Sequence, residues 1–143
     1  MIHLALLAAL LTAQAPPRRA MAVTFDDLPV AGRTVSLPAR ESVTTGLLRA
    51  ITRHRVPAIG FVNEFQLEDS TGRPDPRQVA LLRRWLDAGL ELGNHTWGHP
   101  DLHRVTLTEF TADLLRGQRQ LIPLLATRRQ APRYFRHPFL HTG

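Results

Sequence analysis

Four short apolar runs, separated by stretches long enough and amphipathic enough to be helices, restrict this chain to a narrow set of folds. Residues 21–25 (M-A-V-T-F) read as a buried strand. Residues 40–54 then carry Val43, Leu47, Leu48 and Ile51 at helical spacing. Residues 56–62 (V-P-A-I-G-F-V) give a second strand signal. Asp75-Pro76 is a helix start, with Asp as the cap and Pro at the first helical position. Val79, Leu82 and Leu86 line one face of that helix, and Gly89 closes it. Residues 90–92 lead into a third strand. Thr106-Leu107-Thr108-Glu109 fits a capping box ahead of Leu107, Phe110, Leu114, Leu121 and Leu125, with Pro123 expected to kink or end the helix. Residues 133–135 (R-Y-F) are a fourth strand candidate. The order β-α-β-α-β-α-β predicts an α/β fold, a parallel sheet covered by helices. Ligands of such folds gather at the carboxyl ends of the strands.

The chemically loaded residues fall at those ends. Thr24 to Pro29 read T-F-D-D-L-P, and adjacent carboxylates hinder each other's ionisation unless a positive charge is close. The pair therefore asks for a cation. After the third strand, G-N-H-T-W-G-H-P places His95 and His99 four apart, so that on one helical turn both imidazoles face the same side. With an Asp they form a His-His-Asp set suited to Zn²⁺ or a similar divalent ion, leaving positions open for water and substrate. Cysteine is absent, so histidine and carboxylate must supply any metal site. The zinc-protease pattern H-E-x-x-H is excluded, because Thr96 stands where its general base belongs. One of the two aspartates is then free to take a proton from metal-bound water while the other ligates.

Composition narrows the partners. The chain has 143 residues, is 43% hydrophobic and carries a net charge of +6. All 18 basic side chains are arginines, scattered in pairs rather than gathered in a tract, without the interleaved aromatics of single-strand binders. No nucleic-acid partner is expected. Residues 1–15 read as a signal peptide: an apolar core at 4–11, too short to span a bilayer permanently, ends in Ala13-Gln14-Ala15. The expectation is a secreted or periplasmic protein without stable membrane insertion, with a linker at 16–20 and one domain at 21–143.

T-F-D-D, H-T-W-G-H and F-R-H-P-F, in this order, resemble the first three motifs of the polysaccharide deacetylases, the NodB-homology domain of carbohydrate esterase family four. The resemblance covers residues 21–143. It implies a distorted (β/α) barrel that removes N- or O-acetyl groups from chitin-like polymers, peptidoglycan or xylan, using Zn²⁺ or another divalent transition metal such as Co²⁺ or Ni²⁺. Carried over, it makes Asp26 the catalytic base and Asp27, His95 and His99 the metal ligands. Arg136 orients the base, and Pro138 and Phe139 wall the substrate groove.

Two departures stand out. Leu28-Pro29 replaces the usual Gly after the Asp pair, which predicts Leu28 as bulk beside the metal in the groove. Trp97, inside the metal loop, is a candidate for stacking on a sugar ring, with core packing as the other reading. The family's fourth motif and its fifth (Leu-x-His, the general acid) find no match, so the chain reads as a C-terminally truncated barrel. Two alternatives follow: a non-catalytic metal- or glycan-binding remnant of the same fold, or a basic extracellular module for polyanions. His103 continues the His95/His99 spacing, but is read as a surface residue rather than a third imidazole at the metal.

Overall fold

The computed structural model describes residues 20–32 and 34–142. The expected signal peptide lies outside them, as does all of the expected linker except Ala20. In chain order the elements are β1 (Val23–Leu28), α1 (Leu37–Arg53), β2 (Ala58–Val62), a 3-10 turn (Glu64–Leu67), α2 (Pro76–Asp87), β3 (Glu91–Asn94), α3 (Leu107–Arg116), α4 (Leu121–Ala126) and a 3-10 turn (Pro138–Leu140). The strands form one parallel sheet in the order β1-β2-β3. No helix among the described residues is long and apolar enough to cross a membrane.

One apolar cluster holds the layers together. Leu48 and Ile51 of α1, Leu82, Trp85 and Leu86 of α2, and Leu121, Leu124 and Leu125 of α4 pack against Leu28, Val62 and Leu92 of the sheet. Val43, expected on the inner face of α1, is 50% exposed, and Thr44 is buried in its place. α1 also begins three residues before the expected start, because Pro38 occupies its first turn, where the lost N–H is not needed. Arg40 is buried and donates to the carbonyls of Val35, Gly32 and Gln66 and to Gln66 Oε1, pinning the loop before α1 to the 3-10 turn after β2.

α2 begins as expected, with Asp75 accepting from the Arg77 N–H at 2.9 Å. The capping box at Thr106 and Glu109 opens α3. That helix does not run on to Leu125 with a kink; it stops at Arg116. A Cβ at Gly117 would lie 2.4 Å from the Thr96 carbonyl carbon and 2.7 Å from the Trp97 nitrogen, so only glycine lets the helix end abut the loop after β3. Pro123 sits instead in the first turn of the separate α4, where its missing N–H breaks no bond.

The expected fourth strand contracts to one parallel bridge between Asn94 and Phe135. The Asn94 N–H donates to the Tyr134 carbonyl at 2.9 Å, and the Arg136 N–H to the Asn94 carbonyl at 3.0 Å. This single bridge suffices to bring Arg136 to the carboxyl end of β3.

Candidate metal centre

The end of β1 is irregular where the aspartates lie. Phe25 pairs with Gly60 and Leu28 with Val62, so Asp26 and Asp27 together oppose one residue of β2. This is a β-bulge, and Asp27 takes the left-handed backbone conformation, with φ of 58°. The bulge turns Asp27 towards the end of β3. Its Oδ1 lies 3.9 Å from His95 Nε2 and 3.7 Å from His99 Nε2. Asp26 points at Arg136 instead, with Oδ2 at 3.6 Å from Nη1.

His95 and His99 do meet, with ring centroids 4.8 Å apart, but not on a helical turn. The segment bends through Thr96 and His99, both left-handed, with φ of 66° and 60°. Non-glycine residues in that region cost of order 1–3 kcal/mol each, and here the surroundings hold them. Asn94 Oδ1 accepts the Thr96 N–H at 2.6 Å while its amide donates to the Leu114 carbonyl at 2.9 Å. Thr96 Oγ1 accepts the His99 N–H at 3.1 Å. Asp113, on α3, accepts from the N–H groups of Trp97 and Gly98 at 2.9 and 2.8 Å. Asn94 and Asp113 were missed by sequence reasoning. An Asn directly before the His motif was a usable signal, whereas an Asp within an amphipathic helix gives none.

His95 is 3% exposed. Burial pushes its imidazolium form below the ordinary histidine range, against an opposing effect from its hydrogen bond to Arg136. Nδ1 lies 2.8 Å from the Arg136 carbonyl, and a carbonyl only accepts, so Nδ1 carries the proton and Nε2 presents a lone pair. That tautomer is the ligating one, fixed by a partner outside the donor set. Asp27, His95 and His99 place one donor atom each within 4.8 Å of one another. Two imidazoles and one carboxylate are the donor chemistry of a borderline transition ion, and the residues fit it.

The groove residues read from the sequence are placed differently from one another. Phe139 is 58% exposed and sets its ring edge on His99, with centroids 4.6 Å apart. Pro138 is fully buried and presents no surface to a groove. Leu28 is buried in the core and not beside the donors, because the bulge returns the chain to its inward alternation after Asp27. Trp97 is no open platform: Arg116 covers its ring at 3.1 Å, Phe65 packs edge-on, and its indole N–H donates to Glu68 at 2.8 Å. The cavity that it lines, about 180 Å³ with Glu64, Arg116 and Arg119, contains none of the donor residues. His103 stands apart from His95 and His99, stacked on His141.

Known proteins share this arrangement of elements. The chain matches the Polysaccharide deacetylase family over residues 13–142. It is 32% identical over 121 residues to a chitooligosaccharide deacetylase of Bradyrhizobium sp. (strain ANU 289), covering 85% of this chain and 46% of that protein. It is 30% identical over 106 residues to the peptidoglycan-N-acetylglucosamine deacetylase PgdA of Listeria monocytogenes, covering 74% of this chain and 19% of that one. The chain thus spans less than half the length of either relative. Among solved structures, the peptidoglycan deacetylase PdaC of Bacillus subtilis superposes with a TM-score of 0.66 at 23% identity, over 90% of this chain and 54% of that one. The fold is therefore that of the deacetylase α/β barrel, of which the described residues form an incomplete part, three parallel strands with their helices. With the family match running almost its whole length, the chain belongs to the polysaccharide deacetylase family.

Proposed function

We propose that this chain carries the metal-binding part of a hydrolase that removes acetyl groups from carbohydrate, whether N- or O-acetyl sugars of peptidoglycan or of a chitin-like polymer. The supporting observation is the convergence of Asp27, His95 and His99, with Asp26 beside them facing Arg136. When bound, a divalent ion such as Zn²⁺, Co²⁺ or Ni²⁺ supplies Lewis acidity towards an acetyl carbonyl and lowers the pKa of water. The chain's own residues do the rest. Asp27 and both histidines would hold the ion, with His95 arriving neutral because burial pushes its pKa down. Asp26 takes the proton of the attacking water. The Arg136 guanidinium, 3.6 Å away, fixes the direction of Asp26. Phe139 offers an apolar face to the sugar ring.

Elemental analysis of the purified protein beside a His95→Ala/His99→Ala variant tests the donor set: the variant holds one metal equivalent fewer. Acetate release from chitooligosaccharide and from peptidoglycan, with and without chelator, tests the reaction. Asp26→Asn should keep the metal and lower the rate about 10²–10⁴-fold. Unchanged metal content in the histidine variant overturns the donor set. Full metal occupancy with no acetate released from either polymer replaces this reading with a remnant that binds without turnover. Salt-sensitive polyanion binding that survives chelation favours the basic-module reading.

We also propose export through residues 1–15. Amino-terminal sequencing of protein recovered outside the cytoplasm should begin near Pro16, and an intact Met1 there refutes cleavage.

A further inference from the structure

A second group with the same donor set, one aspartate and two histidines, converges elsewhere among the described residues. Asp101, His103 and His141 also place one donor atom each within 4.8 Å of one another. Asp101 and His141 are 40 positions apart in the chain, yet His141 Nδ1 lies 2.7 Å from Asp101 Oδ1. The same carboxylate oxygen accepts the His103 N–H at 2.9 Å. The two imidazoles lie face to face, centroids 4.0 Å apart and planes within 9° of parallel. Stacked in parallel planes, the two rings do not aim their lone pairs at one point, so the exposed His103 ring turns out of the stack when both share an ion. A tetrahedral zinc with Zn–N bonds of about 2.1 Å holds its nitrogens about 3.4 Å apart, inside the 4.8 Å that spans the three donor atoms. The group is open to solvent, with His103 exposed and the other two half-buried. The competing cation is Arg104, whose Nε lies 3.4 Å from Asp101 Oδ2 on a side chain that is 84% exposed. Such an exposed ion pair is weak and gives way readily.

We propose that Asp101, His103 and His141 form a second divalent-metal site, separate from the Asp27, His95 and His99 centre. Its two imidazoles select a borderline transition ion such as Zn²⁺, Ni²⁺ or Cu²⁺ over Mg²⁺ or Ca²⁺. An ion there ties the loop after His99 to the segment after Arg136. Phe139 lies between the two groups, its ring 4.6 Å from that of His99 and 5.8 Å from that of His141. Occupancy of the second site therefore fixes the rim of the first. The inference does not depend on the deacetylase reading.

Zinc titration of the metal-stripped full chain, read by calorimetry and by elemental analysis after gel filtration, tests it. Wild-type protein should bind two equivalents. His103→Ala/His141→Ala and His95→Ala/His99→Ala should each retain one. His103→Ala alone, at an exposed position that folding does not need, should weaken only one binding step. The loss should exceed the roughly 10–100-fold that removal of a partner behind a metal ligand costs. A large excess of Mg²⁺ should displace neither ion. A single equivalent in wild-type protein that His103→Ala leaves untouched overturns the second site, as does a second equivalent that survives His103→Ala/His141→Ala. Failure of the first centre shows separately, as metal retention unaltered by His95→Ala/His99→Ala.

Discussion

His95 is bound to Arg136 through the main chain and not through the guanidinium: Nδ1 donates to the Arg136 carbonyl at 2.8 Å. The guanidinium is left for Asp26, at 3.6 Å. One residue thereby sets the tautomer of His95 and the direction of the Asp26 carboxylate, by two separable parts of itself. Arg136→Met removes only the second. Metal content should stay at the wild-type level while acetate release falls about 10–100-fold. Loss of metal in Arg136→Met, measured by elemental analysis, would show that the side chain supports the ligand set after all.

Glu64 gives stability a pH slope. It is 3% exposed, and its Oε1 accepts the N–H groups of Gln120 and Leu121 at 2.8 and 2.7 Å. Burial outweighs those bonds and pushes its pKa from 4.5 up to about 7. Between those two values the folded chain keeps a proton that the unfolded chain has lost, so ionisation costs the fold. Stability should fall as pH rises from about 4.5 to about 7, by at most about 3 kcal/mol, and level off above. Glu64→Gln should flatten this part of the profile in denaturant titrations run across that range.

Gly117→Ala forces a methyl group onto the main chain of Thr96 and Trp97. Neither backbone atom is the end of a flexible side chain, so the loop carrying both histidines must shift. A loss of about 1–3 kcal/mol is expected by thermal unfolding, together with weaker zinc binding. Destabilisation with unchanged zinc affinity would mean that the loop absorbs the methyl without moving its ligands.

Arg40 is a buried cation whose partners are carbonyl and amide oxygens. Arg40→Ala leaves those acceptors unpaired and should cost about 2–4 kcal/mol in chemical denaturation. Arg40→Lys should recover little, since one ammonium cannot span acceptors on both sides of a planar fork. Full recovery by lysine would reduce the role of Arg40 to its charge.

The sequence was most legible where spacing is local. Asp75 ahead of Pro76 and Thr106 ahead of Glu109 mark helix starts through bonds spanning two or three residues, and both form. The convergence of the T-F-D-D and H-T-W-G-H stretches at the same end of β1 and β3, the two strands that flank β2, follows from the βα alternation. What spacing misjudged was direction. His95 and His99 at four apart suit a helix, but two left-handed residues bring them together instead. Leu28 and Pro138 border site residues in sequence yet point inward. Trp97 is claimed by Glu68 and Arg116, 29 and 19 positions away along the chain (97 − 68 and 116 − 97). Nothing local distinguishes the buried Arg40 from a surface arginine, because its acceptors come from a loop and a turn that only the folded chain assembles.

The irregularity at the end of β1 is a matter of parity. In a regular strand, neighbouring side chains leave by opposite faces, so two adjacent aspartates could not serve one cleft. Counting two residues against one on β2 resets odd and even midway through the strand. Both carboxylates then belong to the carboxyl end of the sheet, and Leu28 resumes the inward series as though one residue had been skipped. A mutant with one of the two aspartates deleted would lose more than a charge. With the count restored, the ladder would run unbroken from Phe25 to Leu28, and the surviving carboxylate would have to take whichever face the register dictates.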